Sequence, residues 1–156
     1  MKRVIHFLVA LLLVSGAQAE GCFPEGIIFS SQNQINSFRT AFPGCAVIEG
    51  DVTISGNGIY NLNGLNIITT INGDLKIECN QLLTNLSGFE KLTSIGGDLF
   101  VEGNFELENL NGLDNLTWVG GNIMIANNPA LASIEALSGL TAINGNLWIE
   151  ENAQLP

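Results

Sequence analysis

Fifteen carboxylates stand against five basic residues in this 156-residue chain, and several of them recur at one interval. Asp74 and Asp98 lie 24 residues apart, as do Glu78 and Glu102. Two acids held about 5–10 Å apart across a glycosidic bond are the machinery of polysaccharide hydrolysis, so these pairs are the first chemistry to weigh. Nothing in the sequence separates the pKa of one member from that of the other, and no insertion builds a cleft around them. Other mechanisms fail sooner. The single histidine, His6, sits in a leader-like segment, so a Ser-His or Cys-His nucleophile has no base in the remainder. Cys22, Cys45 and Cys79 do not amount to a zinc site. The reading is a chain with no catalytic residue, metal ligand or cofactor.

A second set of residues shares the same interval. Lys76, Phe100, Met124 and Trp148 would stand in one row on an outward sheet face. Thr53 precedes them, with Asp51, Asp74, Asp98, Asn122 and Asn146 on one side and Ser55, Glu78, Glu102, Ala126 and Glu150 on the other. A contiguous apolar stripe on a surface marks an interface, and aromatic residues and methionine are favoured there. Aromatic rings also stack on sugars. Equally, ladders of large side chains stabilise a sheet with no ligand at all. Both readings stay open for this candidate ligand face. Stacked like charges about 4.8 Å apart repel by roughly 0.9 kcal/mol in water, which points to cation screening or a basic partner. The plainer alternative is a solvated face with Lys76 offsetting part of the cost.

What places these rows is a repeat. Ile71-Asn72-Gly73-Asp74-Leu75-Lys76-Ile77 returns from Ile95, from Val119 and from Ile143. Stacked coils that bury apolar faces against their neighbours give such a pattern. Laying the coils under one another, with one deletion in the first, yields seven apolar columns of 32 positions. In a chain that is 46% hydrophobic, chance does not produce that. Val52, Leu75, Leu99, Ile123 and Leu147 form one column, and Ile54, Ile77, Val101, Ile125 and Ile149 another, two residues on as a strand requires. Asn57, Asn80, Asn104, Asn128 and Asn152 are expected to stack inward and bond the turning backbone. Glycines at 50, 73, 97, 121 and 145 suit tight corners.

The ends read differently. Lys2-Arg3, an apolar run from Val4 to Val14 and Ala17-Gln18-Ala19 make residues 1–19 a secretory signal peptide. The run is too short to span a bilayer, which needs roughly 20 residues, and no other stretch qualifies. Loss of residues 1–19 leaves three basic residues and a net charge of −12. Nucleic acid and anionic lipid are thereby improbable partners. Export permits a disulfide. Cys22 and Cys45 flank the one non-repetitive segment and are the natural pair, while Cys79 has no evident partner. Within residues 20–47, Ser30-Ser31 starts a helix over Gln32–Ala41 with Ile35, Phe38 and Phe42 on one face, a cap for the coil stack. Asn85-Leu86-Ser87 and Asn115-Leu116-Thr117 are glycan acceptors only in a eukaryotic secretory pathway.

Gly-Gly-Asp-Leu-Phe-Val-Glu-Gly-Asn (96–104) and Leu-x-Gly-Leu-x-x-Leu-Thr-x-Val-Gly-Gly (110–121) resemble the receptor L-domain family, the leucine-rich modules of insulin and epidermal growth factor receptor ectodomains and of secreted bacterial surface proteins. The resemblance covers Cys22 to Pro156. It implies an all-β, right-handed parallel β-helix of about 24-residue coils, with recognition on the sheet surfaces and a disulfide-bracketed cap. Residues 48–156 are then the solenoid, which stops partway through a coil at Leu155-Pro156 without a closing cap. The expectation is a secreted or cell-surface module, periplasmic at the furthest inward, that binds an extracellular protein or glycan. A structural spacer that associates end to end is the alternative.

Overall fold

Alternating apolar residues and glycine corners produce strands in a fixed order along residues 21–156, the part of the chain that the computed structural model describes. The expected leader, with His6, lies outside the described residues. The chain runs through β1 (Ile27–Phe29), α1 (Gln32–Ala41), β2 (Val47–Ile48), β3 (Val52–Ile54), β4 (Thr70–Ile71) and β5 (Leu75–Glu78). It continues through β6 (Ser94–Ile95), β7 (Leu99–Glu102), β8 (Trp118–Val119), β9 (Ile123–Ala126), β10 (Ala142–Ile143) and β11 (Leu147–Glu150). The odd-numbered strands form a six-stranded sheet in the order β1-β3-β5-β7-β9-β11. The even-numbered strands form a five-stranded sheet in the order β10-β8-β6-β4-β2. Every pairing is parallel, and Val52, Leu75, Leu99, Ile123 and Leu147 stand in register. The result is a β-rich, solenoid-like stack of two parallel sheets.

Between the sheets lies the core. The column residues from Val52 to Ile125 are fully buried, together with Phe89, Leu92, Leu110, Leu113 and Leu116. The columns stop being covered at the last coil, where Leu147 is 51% and Ile149 38% exposed. Parallel strands join through corners, and each corner leaves backbone groups without a sheet partner. Side chains fill the gap. Asn80, Asn104, Asn128 and Asn152 are buried, and each donates from Nδ2 to a carbonyl of the coil before: Ile54, Ile77, Val101 and Ile125, at 2.8–3.0 Å. Each Oδ1 accepts from the coil before as well. Asn80 N–H donates to Asn104, Asn104 N–H to Asn128 and Asn128 N–H to Asn152, at 3.0–3.1 Å.

Asn57 is not a rung of this ladder. It is exposed, and Asn80 Oδ1 accepts from Gly56 N–H at 3.0 Å instead. In the later coils one left-handed residue precedes the asparagine: Cys79 (φ 56°), Gly103 (φ 68°) and Asn127 (φ 56°). The first coil lacks that residue. Its single deletion falls at this corner and moves Asn57 out of the stack. Thr93, Thr117 and Thr141 make a further ladder, each donating from N–H and from Oγ1 to the threonine carbonyl one coil earlier, at 2.9–3.1 Å.

The segment before the repeats carries α1. Ser31 and Gln34 form a capping box at its start, satisfying first-turn amides that have no helical partner. Ile35 and Phe38 are buried, whereas Phe42 follows the helix and is 44% exposed. The helix packs over a turn at Asn63–Leu65. Gly64 there passes so close to the Ile35 carbonyl that no Cβ fits. Phe38 also meets the rings of Phe23, Phe29 and Phe42 at 5.4–6.1 Å between centroids. Cys22 and Cys45 are joined as a disulfide with Cα atoms 5.8 Å apart.

Candidate ligand face on the larger sheet

The register of the six-stranded sheet brings the expected row together. Thr53, Lys76, Phe100, Met124 and Trp148 are successive Cα partners on β3, β5, β7, β9 and β11. They alternate with buried residues and so face outward. Lys76, Phe100 and Met124 are half-buried and Trp148 is 45% exposed. The stripe is therefore a shallow apolar band of three side chains, with a cation at one end.

That cation is tied down. Lys76 Nζ lies 3.0 Å from Asp74 Oδ2 and 3.7 Å from Asp51 Oδ2. It also stands 5.8 Å from the centre of the Phe100 ring, within cation–π range. The hydrogen bond to Asp74 raises the Lys76 pKa; burial opposes this, and the charges of Asp74, Asp51 and Glu78 add to it. For Asp74, burial works against the charged form. The Asp98 N–H and the Lys76 ammonium outweigh it and hold the carboxyl below its ordinary value.

The aspartate row serves the fold. Asp51 Oδ1 accepts from Asp74 N–H at 2.9 Å, Asp74 Oδ1 from Asp98 N–H at 2.9 Å, and Asp98 Oδ1 from Asn122 N–H at 2.6 Å. Asn122 Oδ1 accepts from Asn146 N–H at 2.9 Å. The two asparagines at the end of the row are the sequence signal that reading by charge missed. What recurs is an oxygen at Oδ1, and a carboxylate and an amide supply it equally. The glycine before each residue belongs to the same device: a Cβ on Gly97 would stand on Asp74 Oδ1. Asp74 and Asp98 are thus engaged by backbone amides, which answers the repulsion expected of stacked carboxylates.

The third row is left with its charge. Glu78 and Glu102 are Cα partners, followed by Ala126 and then Glu150. Ala126 is buried and breaks the row. The ion pairs among the described residues are the two that Lys76 makes. Glu102 receives only a long contact from Asn127 Nδ2, at 3.4 Å. One flank of the apolar band sets Lys76 against its aspartates, and the other is acidic with no cation of its own.

Two further features lie away from this face. Cys79 is an exposed free thiol at its left-handed corner. Under the last coil, Ile123, Ile134, Leu137, Leu140, Ile143 and Leu147 line a 310 Å³ cavity. Among the described residues no group of three His, Cys, Asp or Glu is placed to hold a metal, and no helix is long and apolar enough to cross a membrane.

Residues 44–108 match the family model of the receptor L domain, and this stretch belongs to that family. It contains Lys76, Phe100, Glu78 and Glu102, and the corners that hold them. No curated protein matches the chain.

Proposed function

We propose that this chain is a secreted or cell-surface recognition module, without catalysis of its own, that binds protein or carbohydrate through the outer face of its larger sheet. The single observation that carries the reading is the register of Phe100, Met124 and Trp148 across β7, β9 and β11. Large apolar side chains standing in one outward band supply desolvation area at a surface that monomers keep polar. The family match supports a ligand-binding extracellular role, and the disulfide supports an oxidising compartment. In this reading residues 1–19 are the export signal, residues 20–47 with α1 cap the first coil, and residues 48–156 are a right-handed β-helix.

Replacing Phe100 and Trp148 together with Ser tests it. Retention on the producing cell should fall at least tenfold while the unfolding midpoint stays within the range of surface substitutions. Unchanged retention at unchanged stability overturns the reading.

A second reading has its own observation. On β11 Leu147, Trp148 and Ile149 are all exposed, and the apolar cavity lies beneath them. A spacer or envelope component whose coils meet more of their own kind would cover that surface. Association that depends on Leu147 and Ile149 but not on Phe100 would favour it.

A further inference from the structure

Away from the sheet face, we infer a second binding site: a polar cleft between α1 and the turn at Asn63–Leu65 that takes one sugar ring bearing a carboxylate. Asn36, Arg39 and Thr40 form one wall, and Asn63, Gly64 and Asn66 form the other. The first three stand at i, i+3 and i+4 on α1, so they share one face of the helix. The walls are fixed to each other. Ile35, Phe38 and Leu65 are buried, and Gly64 meets the Ile35 carbonyl with no room for a Cβ. Gln32 ties the helix to the loop before the turn. Its Nε2 donates to the Asn61 carbonyl at 3.0 Å, and its Oε1 accepts from the Tyr60 and Asn61 amides at 3.0 and 3.2 Å. A cleft held in this way before a ligand arrives loses little further order on binding.

The hydrogen-bonding groups left over in the cleft select the ligand. Asn36 Oδ1 accepts from Gln32 Nε2 at 2.9 Å, which leaves Asn36 Nδ2 to donate. Thr40 Oγ1 gives its proton to the Ser37 carbonyl at 2.9 Å and keeps its lone pairs. Asn66 Oδ1 accepts one long contact from Arg39 Nη1, at 3.5 Å. Asn66 Nδ2 and most of the five guanidinium donors are then uncommitted. Arg39 has no carboxylate partner, since the ion pairs among the described residues belong to Lys76. On a chain with 15 acidic residues, this cleft is lined by none. What it offers is a forked cation among amide donors, with a hydroxyl oxygen as acceptor. The fork matches a carboxylate in two parallel hydrogen bonds, and the amides and hydroxyl match the oxygens of a sugar ring. The cavity measures 440 Å³, toward the lower end of the roughly 300–1,000 Å³ of small-molecule sites. No lining side chain is aliphatic or aromatic. The last side chain of a peptide C-terminus therefore finds no pocket, and a neutral sugar finds no ring to stack on. A polyanion meets repulsion from the remaining carboxylates, whereas a single carboxylate is matched by Arg39.

Heteronuclear NMR titration of the purified protein tests the site, read at its backbone and side-chain amides. The probes are the methyl glycosides of glucuronic acid and of N-acetylneuraminic acid, which share the carboxylated ring; the tighter of the two identifies the kind of sugar acid. The comparators are methyl glucoside, acetate and acetyl-Ala-Ala with a free carboxylate. At least one sugar acid should shift the side-chain amides of Asn36, Asn63 and Asn66 with a Kd of about 1 mM or tighter, and at least tenfold tighter than every comparator. Arg39→Gln should weaken it at least tenfold, as loss of a charge-assisted hydrogen bond warrants. Asn66→Asp, which sets a carboxylate beside Arg39, should do the same. Circular dichroism checks that both variants are folded. Lys91→Gln removes a cation that is not among the lining residues and should leave Kd within twofold.

Acetate that binds as tightly as the sugar acids marks a site for any anion and overturns the inference. Methyl glucoside that binds as tightly marks a site for any sugar and overturns it too. So do tighter binding of the dipeptide, shifts confined to residues outside the cleft, no shift by either sugar acid, and a Kd indifferent to Arg39→Gln.

Discussion

Asn104→Ala is the most informative single substitution in the asparagine ladder. Asn104 is fully buried. Its Oδ1 accepts from Asn80 N–H and Nδ2, both at 3.0 Å, and its Nδ2 donates to the Ile77 carbonyl at 2.9 Å. Truncation leaves the Asn80 Nδ2 with Ile54 and the Asn128 Oδ1 with the Asn104 backbone N–H. It orphans the Asn80 N–H, in a place water does not reach, and takes from the Ile77 carbonyl one bond beyond its place in the β5–β7 ladder. A buried group left without a partner costs about 1–3 kcal/mol, so the loss should be about 1–3 kcal/mol. The control is Asn57→Ala, which repeats the motif in sequence but is exposed and outside the ladder; its effect should stay within about 0.5 kcal/mol. Urea unfolding followed by tryptophan fluorescence and far-ultraviolet circular dichroism measures both. A cost below ~1 kcal/mol for Asn104→Ala, or equal costs for the two variants, would refute the reasoning.

Other substitutions separate charge from geometry. Asp98→Asn should leave the urea midpoint nearly unchanged, because an amide Oδ1 still accepts from Asn122 N–H, whereas Asp98→Ala should lower it by about 1 kcal/mol or more. Gly97→Ala should destabilise, and Asp74→Ala should recover part of that loss by vacating the space its Oδ1 holds; strictly additive effects would contradict the coupling. Reduction of Cys22–Cys45, which closes a 23-residue separation, should cost about 3 kcal/mol in the chain-entropy model, read as a shift in Cm with and without reductant. The Lys76–Asp74 pair sets a pH dependence with two arms. A carboxyl held below its ordinary 3.8 gives stability that is present above that value and is lost as pH falls through the folded value. An ammonium held above its ordinary 10.5 gives stability that is present below that value and is lost as pH rises through the folded value. Lys76→Met should therefore flatten the alkaline arm and shift the acid arm upward; midpoints against pH that match those of the unmodified protein would refute the pairing.

The columns of aliphatic residues made the strands, their register and the outward row of Phe100, Met124 and Trp148 readable, because period and alternation leave little choice of face. Ser30-Ser31 announced α1 in the same direct way. Reading failed where a residue's identity under-describes its task. Asp74 and Asp98 look like a charge row, yet their shared property with Asn122 and Asn146 is one acceptor oxygen beside a glycine. Asn57 looks like its fellows, but a missing left-handed residue before it changes where it stands. The bounds of α1 are those expected, Gln32–Ala41, and Phe42 keeps its aromatic contacts from just beyond it. The neutralisation of Lys76 is a matter of side-chain geometry between coils, which no spacing along the chain reveals.

Met124 and Trp148 are themselves reporters for the recognition reading, since both oxidise readily, and Trp118 on the smaller sheet is exposed as well and serves as the internal reference. Hydroxyl-radical footprinting of the purified protein, free and then bound to the surface of the producing cell, compares the three sites by mass spectrometry. The account predicts that oxidation of Met124 and Trp148 falls severalfold on binding while that of Trp118 is unchanged. Bound protein in which Met124 and Trp148 react as fast as before, or in which Trp118 alone is protected, would contradict it.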